Sequence, residues 1–392
     1  MSRDASVPSL PARPRVLQVI TRLGLGGAEA VAFSLMRGLR DEFDFACFAV
    51  RGVESGDLGR ALQAQLQALA IPLYCGPRWP LRLGGMVPAG LRAGQVVRQF
   101  RPGLLHLHTE IPESTYAALA ALRPGVAPGG VVRTIHNSAY WDFWPQLGRW
   151  CERRLGPSRV AAVSTAALAA FHAHRAGSGA GPLPVPATVI YNGVGEPAPA
   201  TAVPRAPGDR LRVLFAGRFE SEKGADLLPQ ILAQVQPPAP GAELVLHGRG
   251  RHERRLRALA ARPPAGWTVQ VRPPCADLRA RLAEFDLVLL PSRAEGLGLV
   301  AIEAARAGRP VVATGIAGLR EALPADYPWL APAGDAAGFA RELQRALGAR
   351  ATWPAVAARA DAFARQRFDL AAMLAAYAQL YRAADRGAGP TA

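Results

Sequence analysis

Short apolar runs alternate with longer amphipathic segments along most of this chain of 392 residues. The first run, Arg15–Ile20, precedes a glycine-rich turn and a helical pattern that continues to about Arg40. A strand, a glycine-rich turn and a helix form the opening of a βαβ unit. Further strands of the first half are predicted at 45–50, 104–107, 131–135 and 160–163. The alternation predicts a parallel sheet with helices on both faces.

A stretch rich in glycine, proline and alanine interrupts this pattern between residues 173 and 209. A short strand at Thr188–Tyr191 divides the stretch, and the part after it has the composition of an interdomain linker. The alternation then restarts, with strands predicted at 211–216, 242–247, 268–271, 287–290 and 310–313 and alanine-rich helices from 336 to 384. We therefore expect an α/β chain with two doubly wound, Rossmann-like parallel-sheet domains that face each other across a cleft.

The composition indicates a globular protein with full-sized cores, since apolar residues make up 50% of the chain. No apolar run reaches the roughly 18 residues of a membrane-spanning helix. The first 14 residues lack the apolar segment of a secretory signal and are predicted to be a disordered leader. The four cysteines form no Cys-x-x-Cys pair and no metal-binding spacing, so a reduced, cytoplasmic protein is expected.

The chain is strongly basic, with a formal net charge of +16. Such a charge favours anionic partners, although arginines spread over solvated faces explain it equally well. No basic run with interleaved aromatic residues and no nucleic-acid-binding motif is present, so nucleic acid is not an expected partner. Lys223 is the single lysine among 46 basic residues. A compact ammonium group can approach a phosphate oxygen where a planar guanidinium does not fit.

The first candidate motif is GRFESEKG at 217–224, directly after a predicted strand. Its two cations, Arg218 and Lys223, can converge on one anion at the start of the following helix. The alternative is a helix-initiating turn with surface charges. The chain has no two aspartates two residues apart, and therefore no Asp-x-Asp motif for a divalent metal. The charge of a leaving diphosphate would then be met by Arg218, Lys223 and helix N-termini, without a metal ion or cofactor.

The second candidate motif is PSRAEGLGLVAIE at 291–303, which follows an apolar strand and opens a helix. Gly296 and Gly298 expose backbone N–H groups that suit a diphosphate. Glu295 and Glu303 would repel phosphate, but each carboxylate can accept hydrogen bonds from the hydroxyls of a diol. An anion site flanked by two carboxylates predicts a phosphorylated sugar or a nucleotide sugar as the ligand.

Three histidines lie on or after predicted strands of the first half. His136 follows the strand at 131–135 and either donates a hydrogen bond to a sugar or phosphate oxygen or has a structural role. His106 and His108 alternate on one strand, and we expect one of them to face the cleft and the other a helix layer.

Together these motifs resemble the family 4 (group 1) retaining glycosyltransferases of GT-B fold. The resemblance rests on GLGGAE at 24–29, IHN at 135–137, the two motifs above and AGLRE at 317–321, in family order. It implies that a hexose-type sugar moves from a nucleoside-diphosphate sugar to an acceptor with retention of anomeric configuration. Three departures are Gly195 after the NGV turn, Asn137 after His136, and RPPC at 272–275. The last leaves open whether the donor carries uracil or guanine.

The resemblance also implies roles for individual residues. Arg218 and Lys223 would bind the donor diphosphate, Glu303 the ribose hydroxyls and Glu295 the hydroxyls of the transferred sugar. His136 would lie near that sugar. The implied catalytic set is His136, Arg218, Lys223 and Glu295, and the implied donor-binding set is Gly26, Gly27, Arg218, Lys223, Glu295, Gly296, Gly298, Leu299 and Glu303.

The expected organisation has an acceptor-side domain at 15–200, a donor-side domain at 201–369, and a C-terminal helix at 370–392 that returns to the first domain and ends in a tail. The expected acceptor is a glycan or glycolipid. Tyr140, Trp141, Phe143 and Trp144 either rest on an anionic membrane or pack against Trp150 in a core. Two other functions stay open, namely a GT-B sugar-nucleotide epimerase and a non-catalytic protein that binds nucleotide sugars or nucleic acid.

Overall fold

The computed structural model describes residues 13–24, 26–77, 79, 84–126, 128, 130–156, 158–196, 210–275 and 277–386. Most of the expected leader, the expected linker from residue 197 onwards and the tail after residue 386 lie outside the described residues.

The first half of the chain forms seven strands and six helices among the described residues. The strands are β1 (Arg15–Ile20), β2 (Asp44–Ala49), β3 (Leu73–Cys75), β4 (Leu104–His108), β5 (Gly130–Ile135), β6 (Arg159–Ala162) and β7 (Thr188–Val189). The helices are α1 (Gly27–Gly38), α2 (Asp57–Ala68), α3 (Met86–Phe100), α4 (Glu110–Leu122), α5 (Pro145–Arg154) and α6 (Thr165–Ala176).

The second half contributes six further strands and eight further helices to the described part of the chain. The strands are β8 (Leu211–Ala216), β9 (Ala242–His247), β10 (Trp267–Arg272), β11 (Leu287–Leu290), β12 (Val311–Thr314) and β13 (Leu330–Ala331). The helices are α7 (Leu228–Leu232), α8 (Glu253–Ala261), α9 (Leu278–Arg281), α10 (Leu299–Arg306), α11 (Ala317–Ala322), α12 (Ala336–Gly348), α13 (Trp353–Arg367) and α14 (Leu370–Arg386).

The strands form two parallel sheets, which confirms the predicted fold class. The first sheet has the order β3-β2-β1-β4-β5-β6-β7 and the second the order β10-β9-β8-β11-β12-β13. In each sheet the strand order reverses beside the first strand, between β1 and β4 and between β8 and β11. Doubly wound sheets bind ligands outside the carboxyl ends of the strands at such a reversal. The loops after β1, β4, β8 and β11 are therefore the places to look for a site.

The last helix, α14, packs against the first sheet, although the chain reaches it only after the second. Tyr377 and Tyr381 on this helix are fully buried. The Tyr381 ring meets Phe43 edge-on, with 5.4 Å between ring centroids. Burial of two tyrosines and their neighbours fixes α14 to the first half of the molecule by the hydrophobic effect.

A buried ionic network fixes the loop that follows β5. The guanidinium of Arg133, fully buried, donates to Glu113 at 3.0 Å, to Glu152 at 2.7 Å and to the Tyr140 hydroxyl at 2.6 Å. The Trp141 indole donates to the same Glu113 carboxylate at 3.2 Å. Because every member of this network has a partner, its desolvation is compensated. The network holds residues 136–141 against α4 and α5.

No helix among the described residues is long and apolar enough to span a membrane.

Candidate active site

The site forms where the two sheets face each other. The glycine-rich turn after β1, the end of β4 and His136 after β5 line one side. The loops after β8 and β11 line the other. This is the arrangement expected when two doubly wound domains meet at their strand reversals.

The Lys223 loop lies directly against the loop after β11 because glycine follows the lysine. Residues Ser221–Lys223 form a 3₁₀ turn, and Gly224 ends it in the left-handed region with φ 70°. A Cβ atom at position 224 would overlap the carbonyl oxygen of Pro291. Glycine satisfies both the backbone conformation and the close approach, and so the two predicted motifs become one site.

The single lysine forms an ion pair with the first carboxylate of the second motif. Lys223 Nζ donates to Glu295 Oε2 at 2.6 Å, and the Ser292 hydroxyl donates to Glu295 Oε1 at 2.9 Å. Arg218 donates to Glu222 at 2.8 Å, beside Lys223. The structure thus brings the predicted cations and Glu295 together. The contact between Lys223 and Glu295 is a charge-assisted hydrogen bond between an ammonium and a carboxylate.

The start of α10 contacts the other side of the cleft. Gly298 adopts φ 60° directly before the helix. A Cβ atom at Gly296 would overlap the carbonyl oxygen of His136. The hydroxyls of Ser138 and Ser164 donate across the cleft to the carbonyl oxygens of Glu295, at 3.0 Å, and Gly296, at 2.6 Å. His136 and the N-terminus of α10 therefore border the same space.

The second carboxylate of the motif, Glu303, lies in α10 and is half-buried. Burial raises its pKa to about 7, Arg279 opposes this shift, and Asp277 adds to it. None of the described residues donates a hydrogen bond to this carboxylate. A half-buried acceptor with free lone pairs is suited to a ligand with neighbouring hydroxyls.

The first turn of α1 has a carboxylate, that of Glu29, that the sequence analysis does not place in the site. It lies so close to Gly26 that a Cβ atom there would overlap Glu29 Oε2. Burial raises its pKa to about 7, and Arg218 from across the cleft lowers it in part. Gly27 approaches Leu299, so a Cβ atom there would lie 3.3 Å from the leucine Cδ1.

His136 is neutral and hydrogen-bonded to a second histidine. Burial lowers its pKa to about 3, and its Nε2 lies 2.9 Å from His108 Nδ1. The expectation that His106 and His108 face opposite layers is wrong. Their ring centroids are only 3.9 Å apart, because residues i and i+2 of a strand share one face.

The aromatic residues after His136 divide into two pairs. Tyr140 and Trp141 are buried, and Tyr140 packs against Phe171, with ring centroids 6.0 Å apart. Phe143 and Trp144 are 87% and 38% exposed, so they are open to solvent or to a surface. The first pair therefore lies in a core, where Tyr140 packs against Phe171 and Trp141 against His174, while the expected packing against Trp150 stays a prediction.

Among the described residues, no group of three or more His, Cys, Asp or Glu side chains is placed to hold a metal ion.

Comparison with known proteins assigns the family. The model described as Glycosyltransferase Family 4 matches residues 25–195, and the model described as Glycosyl transferases group 1 matches residues 210–349. A glycogen synthase from Mycobacterium tuberculosis is 30% identical over 340 residues, which are 79% of this chain and 76% of that protein. The chain belongs to the group 1, family 4 glycosyltransferases.

A further relative agrees with this assignment, and a solved structure has the same fold. A phosphatidyl-myo-inositol mannosyltransferase from Mycobacterium leprae is 29% identical over 313 residues, 72% of this chain and 78% of that one. The crystal structure of HepE from Anabaena in complex with UDP-glucose superimposes with a TM-score of 0.75 at 21% identity, covering 94% of this chain and 99% of that one. The structural likeness confirms the GT-B fold, and the sequence likeness shows that the chain is a glycosyltransferase.

Proposed function

We propose that this glycosyltransferase moves a hexose-type sugar from a nucleoside-diphosphate sugar to a glycan or glycolipid acceptor, with retention of anomeric configuration. The observation that carries the proposal is the Lys223–Glu295 contact of 2.6 Å at the cleft. It joins Lys223 of the first motif to Glu295 of the second, while Arg218 pairs with Glu222 next to the lysine. The similar proteins, which include a glycogen synthase and a protein crystallised with UDP-glucose, support a UDP- or GDP-sugar as donor.

The proposed roles follow from an exchange of partners at Lys223. When the diphosphate enters, Lys223 moves from Glu295 to the phosphate oxygens, together with Arg218. Glu295 is then free to accept hydrogen bonds from hydroxyls of the transferred sugar. Two cations and the N-terminus of α10 stabilise the negative charge that grows on the leaving diphosphate. No resident metal or cofactor is needed for this step in the proposal, so activity should persist in excess EDTA.

The proposed acceptor is held on the side of the cleft formed by the first sheet, where Gly26, Gly27 and His136 lie. Gly26 and Gly27 would bring backbone N–H groups to the diphosphate at the start of α1. His136 and the neighbouring backbone of Gly296 would border the transferred sugar. The acceptor hydroxyl then approaches the sugar from the first-sheet side of the cleft.

Glu303→Gln tests the proposed ribose contact. An ionised carboxylate accepts from both ribose hydroxyls, so wild-type donor affinity should rise as the pH increases through about 7, the pKa of Glu303. The variant should bind UDP or GDP about tenfold more weakly at pH 8, without that pH step. Titration calorimetry between pH 6 and 8 measures both effects.

A matched control is Glu253→Gln, which removes a half-buried carboxylate paired with the exposed Arg257 on α8. The nucleotide affinity and pH profile of this control should equal those of the wild type.

A stability measurement on Glu303→Gln gives a second check. Because the pKa of Glu303 is raised in the folded protein, the stability that this side chain contributes is present at acid pH and lost as the pH rises through 7. Glu303→Gln should therefore be at least as stable as the wild type at pH 8, which separates weak binding from misfolding.

We further propose that the protein works in the cytoplasm and touches an anionic membrane through the corner formed by Phe143, Trp144 and α5. Phe143 is 87% exposed, and α5 carries the exposed arginines Arg153 and Arg154. Aromatic side chains beside cations suit the interface of an acidic lipid surface.

Sedimentation with vesicles tests the membrane contact. Wild type should co-sediment with phosphatidylglycerol vesicles at low salt and remain in the supernatant with phosphatidylcholine. The double variant Phe143→Ser/Trp144→Ser should lose most of the bound fraction. Leu122→Ser, at another exposed apolar position, serves as the control and should bind like the wild type. No wild-type sedimentation at low salt contradicts the proposal.

The catalytic proposal is tested by donor turnover. The purified protein is incubated with UDP-glucose, UDP-galactose, UDP-N-acetylglucosamine or GDP-mannose and a panel of glycan and glycolipid acceptors, and nucleoside diphosphate release is measured. Acceptor-dependent release, with a product of unchanged anomeric configuration by NMR, supports a retaining transferase. Release with formation of the free epimeric sugar in water supports an epimerase instead.

A further inference from the structure

A continuous chain of hydrogen bonds runs from His136 at the cleft through the first sheet to α14. We call these seven side chains the buried relay: Gln18, His106, His108, Thr134, His136, Tyr377 and Tyr381. Six of them are fully buried, at 0% exposure, and only His136 reaches the cleft. Polar groups so deeply buried must be hydrogen-bonded to one another, since water is not there to replace a missing partner.

The direction of the hydrogen bonds follows from the amide of Gln18. Its Nε2 donates to the Tyr381 hydroxyl at 2.9 Å, and its Oε1 lies 2.7 Å from His108 Nε2. An amide oxygen can only accept, so the proton between these two residues is on His108 Nε2. Burial holds the pKa of His108 well below its usual range, so the ring is neutral and carries one proton. His108 Nδ1 is therefore an acceptor.

The same accounting fixes the proton on His136. Its Nε2 lies 2.9 Å from the accepting Nδ1 of His108, so it must carry the hydrogen and donate it. His136 is neutral, with a pKa of about 3. Its other nitrogen, Nδ1, is therefore unprotonated and can accept one hydrogen bond.

The remaining members of the relay agree with this direction. Tyr381 accepts from Gln18, so its own proton goes to His106 Nδ1, at 2.7 Å. The neutral His106 then donates from Nε2 to the Thr134 hydroxyl at 2.7 Å, and Thr134 lies 2.9 Å from the Tyr377 hydroxyl. In every contact of the relay one donor then faces one acceptor.

We propose that Gln18, His108 and Tyr381 are positioning residues that hold His136 in the Nε2-protonated form. The unprotonated Nδ1 then accepts a hydrogen bond from one hydroxyl of the transferred sugar. This second part rests on the proposed function, whereas the protonation state of His136 does not. The site thereby selects a donor with a hydroxyl at that position, because a deoxy sugar leaves the buried acceptor without a partner. Tyr381 comes from α14, so the C-terminal helix helps to determine donor choice in the first half of the molecule.

The protonation state is measurable without any ligand. In protein labelled with ¹⁵N-histidine, two-bond ¹H–¹⁵N correlation spectra at pH 7 distinguish the two neutral forms of each ring. The expected result is a single His136 signal set with Nε2 protonated and Nδ1 bare. A His136 ring protonated at Nδ1 overturns the proposal, because the relay would then run in the opposite direction.

Variants separate a positioning role from a merely structural one. Tyr381→Phe removes only the hydroxyl that accepts from Gln18, so the amide is freed to rotate and a second His136 form should appear. Gln18→Leu should have the same effect. Thr134→Val interrupts the relay beyond His106 and should leave the His136 signals unchanged. A single unchanged form of His136 in both Tyr381→Phe and Gln18→Leu overturns the positioning role.

Donor analogues test the hydroxyl contact. The tightest-binding nucleotide hexose among UDP-glucose, UDP-galactose, UDP-N-acetylglucosamine and GDP-mannose is compared with its monodeoxy and monofluoro analogues by calorimetry. At one hydroxyl position of the sugar, both the deoxy and the fluoro analogue should bind about tenfold more weakly than the parent nucleotide sugar, since fluorine cannot donate to Nδ1. In His136→Ala the parent and its analogues should bind equally well. A fluoro analogue that binds as well as the parent overturns the acceptor role. If no nucleotide sugar binds, the proposed function fails, and the NMR result still decides the relay.

Discussion

Lys223→Ala is expected to lower kcat/KM for donor turnover by about 10²–10³-fold, the usual cost of removing one preorganised donor to a developing negative charge. In the unliganded site the ammonium group lies 2.6 Å from Glu295 and 4.0 Å from Glu222, the carboxylate that pairs with Arg218. Its loss leaves the Glu295 carboxylate without its cation, and this carboxylate then repels the incoming diphosphate. Both effects act in the same direction. Steady-state kinetics with saturating acceptor measures the change.

Arg251→Ala is the control for this variant. Arg251 belongs to the same region and pairs with Glu220, but its side chain is 64% exposed. Its removal should leave kcat/KM within about twofold, as is usual for an exposed ion pair. Lys223→Arg keeps the charge but replaces a compact ammonium with a planar group, so only partial activity is expected. Equal losses for Lys223→Ala and Arg251→Ala would show that general surface charge, rather than this lysine, binds the donor.

The second large effect is on stability. Arg133→Met should destabilise the first half of the molecule by about 3–5 kcal/mol, because it removes the cation from two buried carboxylates. Arg133 donates to Glu113 at 3.0 Å and to Glu152 at 2.7 Å, and all three side chains are fully buried. Arg175 still pairs with Glu152, so Glu113 bears most of the penalty. Urea unfolding followed by fluorescence of the buried Trp141 measures the change.

The sign of the pH dependence gives a further check on this variant. Burial already raises the pKa of Glu113, and loss of Arg133 should raise it more. Protonation removes the unpaired charge, so the deficit should shrink as the pH falls. Arg345→Met, which breaks an exposed pair with Glu342, should cost about 0–1 kcal/mol. A deficit for Arg133→Met no larger than this would show that the buried network contributes no net stability.

The alternation of apolar runs was sufficient to predict the fold because parallel strands are buried on both faces. The bounds of β1, β8, β9 and β11 coincide with the predicted runs. The strands that were missed, β3 and β13, have three and two residues, and each lies at one edge of its sheet. Strands that short carry too few residues for a period to be recognised, and the two-residue strand β7 was predicted only as part of a longer run at 188–191.

The motif loops were predictable for a topological reason. A glycine-rich loop after a buried strand lies at the carboxyl edge of its sheet, wherever the rest of the chain goes. Glu29 was missed because a carboxylate in the first turn of a helix is ordinarily a surface residue that favours the helix dipole. Only the three-dimensional course of the backbone before α1 shows that the Glu29 carboxylate lies against Gly26.

The buried relay could not be predicted, since it joins residues far apart in the chain. Gln18 and Tyr381 are separated by 363 positions. The one signal in the sequence is Gln18, a polar residue inside the apolar run of β1. Its partner Tyr381 lies on the last helix. The pairing of His106 with His108 was misjudged for a simpler reason, namely that two residues along a strand return the side chain to the same face.

The most direct test of the central claim is calorimetric titration of UDP and GDP, in the presence of EDTA, into the wild type and Lys223→Ala. We predict that the wild type binds one of the two nucleotides and that the variant binds it at least about tenfold more weakly, with unchanged folding. Equal affinity of the two proteins, or no binding of either nucleotide to the wild type, would contradict a donor site formed by Lys223, Glu295 and Glu303.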